Sequence, residues 1–247
     1  MYYYLLTLAL FLLTPQASVG QDLTPAEARQ RLQDQGEDLS QSSYESAVVQ
    51  GEEKVVRLYL EAGYPVNGTV ETGSLELNYL ELTVPEHPEV TNILLEYGAD
   101  PNKPGLTSYP IHQAVPHARS MRLLLRSGAN PRAISGTGWK PIHTATRLDT
   151  TSEVRTKAVQ VLINYGADPD SQAGDSQTGE GDIEGATPLL LCAVLGRPSI
   201  AQVLLKNGAA PNLDNSPVTL DDGQTLSDLA RNQDNASTAE IIEAYRD

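Results

Sequence analysis

The 247-residue sequence has a single cysteine, Cys192, and that scarcity excludes an intrachain disulfide and any zinc site built on several thiolates. Bases are few as well: 17 Lys and Arg stand against 32 Asp and Glu, a formal charge of −15. So acidic a chain lacks the cationic face that nonspecific nucleic-acid binding and adsorption to anionic membranes require. Long hydrophobic runs are missing too. The one candidate, Tyr2 to Leu13, falls short of the roughly 20 apolar residues that cross a bilayer as a helix. There is no HExxH zinc motif, no glycine-rich phosphate loop and no GxSxG nucleophile elbow. His112 and His117 are five residues apart and separated by Pro116, so they do not form an i, i+4 ligand pair. What is present, 40% hydrophobic and 20% charged residues, is the balance of a folded chain rather than a disordered one.

The Tyr2–Leu13 run is broken by Thr14-Pro15-Gln16 and followed by the small residues Ala17, Ser18, Val19 and Gly20. This reads as the apolar region and cleavage site of a signal peptide, cut between Gly20 and Gln21, so the mature chain is expected in a bacterial periplasm or secreted, without a membrane span. One feature departs from the pattern: no Lys or Arg precedes Arg29. A buried N-terminal strand or helix is the competing reading. No cysteine follows the run, which excludes a lipoprotein anchor. Asn67-Gly68-Thr69 and Asn235-Ala236-Ser237 are N-glycosylation sequons and leave a eukaryotic secretory origin open.

From about residue 40 onward the chain repeats itself. Glycines at Gly63, Gly98, Gly128, Gly166 and Gly208 each open a short string with proline two or three residues on, as in Gly98-Ala99-Asp100-Pro101-Asn102. An apolar triplet ends three residues before each glycine, as Leu123-Leu124-Leu125 does before Gly128. The pattern predicts a helix with an apolar last turn, stopped by a left-handed glycine and kept from restarting by proline. Upstream of three of these helices lie Tyr109-Pro110-Ile111-His112-Gln113-Ala114, Lys140-Pro141-Ile142-His143-Thr144-Ala145 and Thr187-Pro188-Leu189-Leu190-Leu191-Cys192. Each places proline in a first helical turn and a small residue where two helices approach. Two helices per unit, recurring every 30 to 42 residues, describe a solenoid.

These strings resemble the Thr-Pro-Leu-His start and the Gly-Ala-Asp-x-Asn end of the ankyrin-repeat family. The resemblance implies an all-α solenoid of stacked helix-turn-helix units with hairpin fingers. It divides the chain into a signal peptide over 1–20, an N-terminal capping helix and linker over 21–41, and a repeat array over 42–247 of five units plus a C-terminal capping unit. Thr24-Pro25-Ala26-Glu27 has capping-box spacing and opens the capping helix, expected to run through about Gln35. Ser42-Ser43-Tyr44-Glu45 and Asn78-Tyr79-Leu80-Glu81 stand in place of the family's start string in the first two units. Gly223 to Ala230 resembles the capping form, closed by a helix from Ser237 to about Tyr245. By the same resemblance Thr187 keeps the family's threonine, His112 and His143 hydrogen-bond the neighbouring unit's backbone, and His87 takes the turn between the second unit's helices.

Little else suggests chemistry. Cys192 lies in an apolar string with no cation within four residues, which suits a buried thiol better than a reactive one. The long insertion at 171–186 falls where the family places a finger and carries the acidic residues Asp175, Glu180, Asp182 and Glu184. A solvated finger, a cation site (Asp175, Glu180, Asp182) and a catalytic carboxylate pair are the readings it admits, the last two amounting to a metal-dependent ligand binder or hydrolase. Between Arg147 and Ala158 the fourth unit is expected to have an interhelical connection about five residues too long.

Charge is distributed in blocks. From Arg119 to Lys157 eight bases face two acids, and from Ala158 to Gly196 six acids face no base. Either the arginines solvate the outer helices, or the blocks form a polar surface that orients a complementary partner. Ankyrin folds bind through finger tips and inner helices, so the resemblance assigns partner binding to Tyr109, Gln113, Trp139, Lys140, Thr144, Arg147, Leu191, Val194 and Leu195. Leu191 and Leu195 are expected to be exposed beside Arg147, although packing between units would serve them equally. Trp139→Ala and Arg147→Glu are expected to weaken binding and leave the fold intact. The reading is a noncatalytic, monomeric, cofactor-free scaffold that binds another protein, with an immunity or inhibitor protein for a toxin or hydrolase as its specific form.

Overall fold

A computed structural model describes residues 23–72, 75–105, 108–174, 184–213, 217–220 and 223–246. The expected signal peptide, cut site included, and the acidic residues Asp175, Glu180 and Asp182 lie outside them. A capping helix, α1 (Pro25–Asp34), precedes the array. The first unit is α2 (Gln41–Gln50) and α3 (Glu53–Glu61). A hairpin of β1 (Thr69–Thr72) and β2 (Leu75–Asn78) leads into α4 (Tyr79–Glu86) and α5 (Pro88–Glu96). The next units are α6 (Pro110–Gln113) with α7 (Ala118–Arg126), α8 (Pro141–Arg147) with α9 (Ser152–Asn164), and α10 (Pro188–Leu195) with α11 (Pro198–Lys206). The terminal pair is α12 (Leu226–Asn232) and α13 (Ala236–Glu243).

The helices form two rows. In the inner row α2, α4, α6, α8, α10 and α12 pack in succession, and in the outer row α3, α5, α7, α9, α11 and α13 do the same. Each unit therefore buries its apolar side against its neighbours as well as between its own two helices. The capping helix α1 lies on α3, closing the outer row, and the Arg29 guanidinium donates to the Ala62 carbonyl at 2.8 Å. Its first turn carries the expected capping box: Thr24 Oγ1 accepts from the Glu27 amide while Glu27 accepts from the Thr24 amide at 2.9 Å.

The repeated glycine ends each outer helix for a conformational reason. Gly63, Gly98, Gly128, Gly166 and Gly208 have φ between 89° and 96°, where a Cβ is strained even though nothing crowds it at Gly98, Gly128, Gly166 or Gly208. The following residue then returns its amide to the last turn, as Ala129 does to the Leu124 carbonyl at 2.9 Å. The Asn or Asp after the proline ties one unit to the next. Asn67 accepts from the Asp100 amide, Asn102 from the Asn130 amide and Asp170 from the Ala210 amide.

Several sequence expectations need correction. The first unit's helix is capped by Ser40, whose hydroxyl accepts from the Ser43 amide, so the array starts two residues earlier than Ser42. In the fourth unit the surplus residues only partly lengthen the connection, which spans 148–151 against two residues in the first and fifth units. Most of them extend α9 to 13 residues, with Thr151 as its N-cap. Arg155, 8% exposed, turns back from that added turn to donate to the carbonyls of Leu148 and Thr150, satisfying the end of α8. At the second sequon the Asn235 Nδ2 already donates to the carbonyls of Ala193 and Val194, at 2.9 and 3.0 Å. A glycan on that nitrogen would break a bond between units.

Where the first two units lose the Thr-Pro-Leu-His string, tyrosines take over. Tyr44 contacts the rings of Tyr59, Tyr64 and Tyr79 at centroid separations of 5.4 Å. Their hydroxyls reach out of the cluster, Tyr44 to the Pro65 carbonyl and Tyr59 to the Asp38 carbonyl. Glu81 stands where later units carry histidine. It is 4% exposed and sits against Gly105, where any Cβ would collide with its carboxylate. Burial raises its pKa, so in the native state it holds a proton more tightly than the usual glutamate. Stability from such a group is present when it is protonated and is lost as pH rises through its folded pKa. Glu81→Gln is therefore expected to raise the thermal midpoint at pH 7 by about 2 °C. The gain should vanish below pH 4.5, the ordinary value for glutamate, which a calorimetric pH series would read.

Candidate functional site

The fingers and the inner row converge on a hollow of about 400 Å³ between the third and fourth units. Its rim comes from the fingers, with Ser108, Ser135 and Thr137, and its floor from Trp139, Thr144 and Arg147. Trp139 lies just before the first turn of α8 and Arg147 at that helix's last residue. Because helical side chains lean toward the N-terminus, Arg147 reaches back along the helix. Its Cζ stands 4.2 Å from the centroid of the Trp139 ring, a cation–π stack. The indole's other neighbour is His143, at a centroid separation of 5.7 Å. The indole is thus 7% exposed, while Arg147 remains open to solvent.

The two motif histidines act as expected. His143 Nε2 lies 2.9 Å from the Ser171 carbonyl and 3.1 Å from that of Ala186, and its Nδ1 accepts from the Lys140 amide at 3.4 Å. That arrangement requires a neutral ring with its proton on Nε2. His112 does the same at 3.0 Å to the Ala133 carbonyl, and the Thr144 hydroxyl donates to its Nδ1 at 3.2 Å. Burial lowers both pKa values to about 4. His87 occupies the turn between α4 and α5 and contacts the Val49 carbonyl at 3.1 Å. Cys192 is fully buried, and burial pushes its thiol well above the ordinary value, so it is an inert packing residue.

Among the expected partner-binding residues, the structure brings Trp139, Thr144 and Arg147 together. Lys140 points to the next finger, donating to the Gln172 carbonyl at 2.8 Å, and burial lowers its pKa. Gln113 turns to Glu81 at 3.4 Å, and Tyr109 is half-buried against the core as the N-cap of α6. Leu191 is not exposed: it is 9% accessible, because α10 is apolar on every side and packs against α8, α11 and α12. The exposed pair at the end of α10 is Val194 and Leu195, at 41% and 38%, and neither lines the hollow. The rim residues Ser108, Ser135 and Thr137 were not anticipated. Their only sequence signal is that they precede an inner helix, where the finger lies.

The structure also divides the basic block. Arg119, Arg122, Arg126, Arg155 and Lys157 lie on outer helices, with Arg119 paired to Glu89 and Lys157 to Glu153. Arg132, Lys140 and Arg147 are left on the finger and inner-helix side. Among the described residues no group of three or more His, Cys, Asp or Glu is placed to hold a metal, and no helix is long and apolar enough to cross a membrane.

A family model of ankyrin repeats matches residues 111–215 in three copies. The fold is similar to the crystal structure of an ankyrin repeat domain from Acinetobacter baumannii AYE. That likeness has a TM-score of 0.66 and 21% identity, covering 83% of this chain and 98% of the other. Residues 111–215 are ankyrin repeats by the family match, and the array as a whole has the ankyrin-repeat fold. The human ASB11 ankyrin repeat domain is similar at a TM-score of 0.60 and 21% identity, over 83% of each chain. Among curated proteins, none matches the sequence. The family model covers the units whose inner helix opens on proline. It stops short of the first two, where the tyrosine cluster and Glu81 replace the ankyrin start string. Ankyrin repeats are generally protein–protein interaction modules, and this chain presents the finger and inner-helix surface that such modules use.

Proposed function

We propose that this ankyrin-repeat protein is a noncatalytic scaffold, exported from the cell that makes it, which binds another protein through its fingers and inner helices. The observation that carries the reading is the Trp139–Arg147 stack, set in the hollow where two fingers and the inner row meet. Tryptophan and arginine dominate binding energy at interfaces, and here both are held in place by the array itself. Export is supported by the Tyr2–Leu13 run and the small residues after it. The specific role is that of an immunity or inhibitor protein, neutralising a toxin or hydrolase in the same compartment. Its support is a strongly acidic chain that keeps three bases, Arg132, Lys140 and Arg147, on the finger and inner-helix side, an arrangement suited to oriented capture of a charged partner.

Photo-crosslinking in the native cell tests the scaffold. A benzophenone side chain at Thr144 or Val194 is expected to capture one protein partner, and one at Arg122 on the outer row none. Capture from Arg122 alone would place binding on the opposite side and overturn the reading. Sequencing the mature amino terminus tests export, with Gln21 expected as the first residue.

A further inference from the structure

We infer that the hollow between the third and fourth units receives a carboxylate from the bound partner, an Asp or Glu side chain clasped by Arg147. This rests on the protein-binding reading and names the chemistry of one contact within it. The indole of Trp139 covers one face of the guanidinium at 4.2 Å. The edge, with its five N–H donors, makes no hydrogen bond or ion pair with any described residue. Every other cation near the hollow is already engaged. Arg132 donates to the Gly166 carbonyl and Lys140 to that of Gln172, and His112 and His143 are neutral donors to carbonyls. Arg147 is thus the free charge of this surface. It is oriented by stacking, so little side-chain freedom remains to be lost on pairing.

The arrangement selects a carboxylate over other anions. A guanidinium edge matches the two oxygens of a carboxylate in a fork of parallel bonds. One unassisted guanidinium balances a monoanion, whereas a phosphate near two negative charges calls for a second cation, and none is aimed here. The Ser108 hydroxyl on the rim supplies a further donor, and among the described residues no Asp or Glu lines the hollow to compete. Charge on this side agrees, since Arg132 and Lys140 stand with Arg147 on the finger and inner-helix side. A volume of about 400 Å³ admits a side chain with its flanking backbone, so the carboxylate arrives on a protein segment rather than as a free small acid.

Trp139 is the only tryptophan and reports directly on the site. Two acetylated, amidated hexapeptides identical except for Glu against Gln at one central position are titrated into the mature protein while its emission is followed. The Glu peptide should give a saturable change that weakens as salt rises from 50 to 200 mM. The Gln peptide should bind about tenfold more weakly, and Arg147→Gln should abolish the difference. Equal response to the two peptides, or a Glu preference that survives Arg147→Gln, would overturn the inference. So would tighter binding of a third hexapeptide with phosphoserine at that position, or saturation by sodium acetate at the same concentration. The scaffold reading fails separately. Unchanged crosslinking from Thr144 in Arg147→Gln removes only the carboxylate contact, whereas no capture from the inner row alongside an intact Glu preference removes only the scaffold.

Discussion

Trp139→Ala is expected to destabilise the protein by about 3 kcal/mol, the usual cost of truncating a buried indole. The ring is 7% exposed and fills the space between the finger before α8, the His143 imidazole and the Arg147 stem. Its removal opens a cavity at the seam between the third and fourth units, and in a stack whose units contact only their neighbours a seam is where cooperativity fails. Urea unfolding followed by circular dichroism should show a lower midpoint. If the seam is weakened enough, the single transition should divide into two. Trp139→Phe, which keeps most of the packing, should cost about 1 kcal/mol. A loss near zero for Trp139→Ala would mean that the indole is not seated in native packing. The structure thereby corrects the expectation that this substitution spares the fold. Loss of partner binding in Trp139→Ala would report instability as much as contact, which makes Arg147, exposed at the end of α8, the cleaner probe.

What was legible in the sequence was the punctuation. Proline at 110, 141 and 188 starts inner helices, and the five glycines end outer ones, because those residues act through local backbone geometry alone. Features decided by neighbours were not legible. Leu191 has an exposed position by motif, yet it is buried because α10 has apolar neighbours on both sides. The added residues of the fourth unit read as a loop by comparison with the other units. Most of them are helical because Thr151 caps them and Arg155 closes the turn behind. Asn78 and Glu81 have the spacing of a capping box, which the structure forms, but the burial of the Glu81 carboxylate against Gly105 is set by packing and has no local signal. The site was half legible: Trp139 and Arg147 were singled out by residue type, but only coordinates stack one on the other.

Acidification from pH 7.5 to 5 is expected to remove about 4 kcal/mol of stability through His112 and His143 together. Each has an ordinary pKa of 6.5 and a folded value of about 4, lowered chiefly by burial. The folded protein therefore binds fewer protons than the unfolded chain between those values, so stability rises with pH across the window and is lost as pH falls from 6.5 toward 4. At pH 5 the unfolded imidazoles are almost wholly charged and the folded ones almost wholly neutral, which amounts to about 2 kcal/mol for each ring. Glu81 and Asp170 work in the opposite direction, since burial raises their pKa values and acid favours their folded forms. Glu27, Asp228 and Glu243, held below the ordinary range by hydrogen bonds, keep their stabilising effect across this window and lose it only at lower pH. The histidine contribution is isolated by difference. His112→Gln/His143→Gln keeps an N–H donor for the Ala133 and Ser171 carbonyls but cannot titrate. Its urea-unfolding free energy should change far less than the wild type's over this range, and each single variant should remove about half of the loss. Parallel profiles for the wild type and the double variant would mean that the imidazoles are not both neutral donors in the native array. Were that so, the bonds by which the third unit grips the fourth and the fourth grips the fifth would need another account.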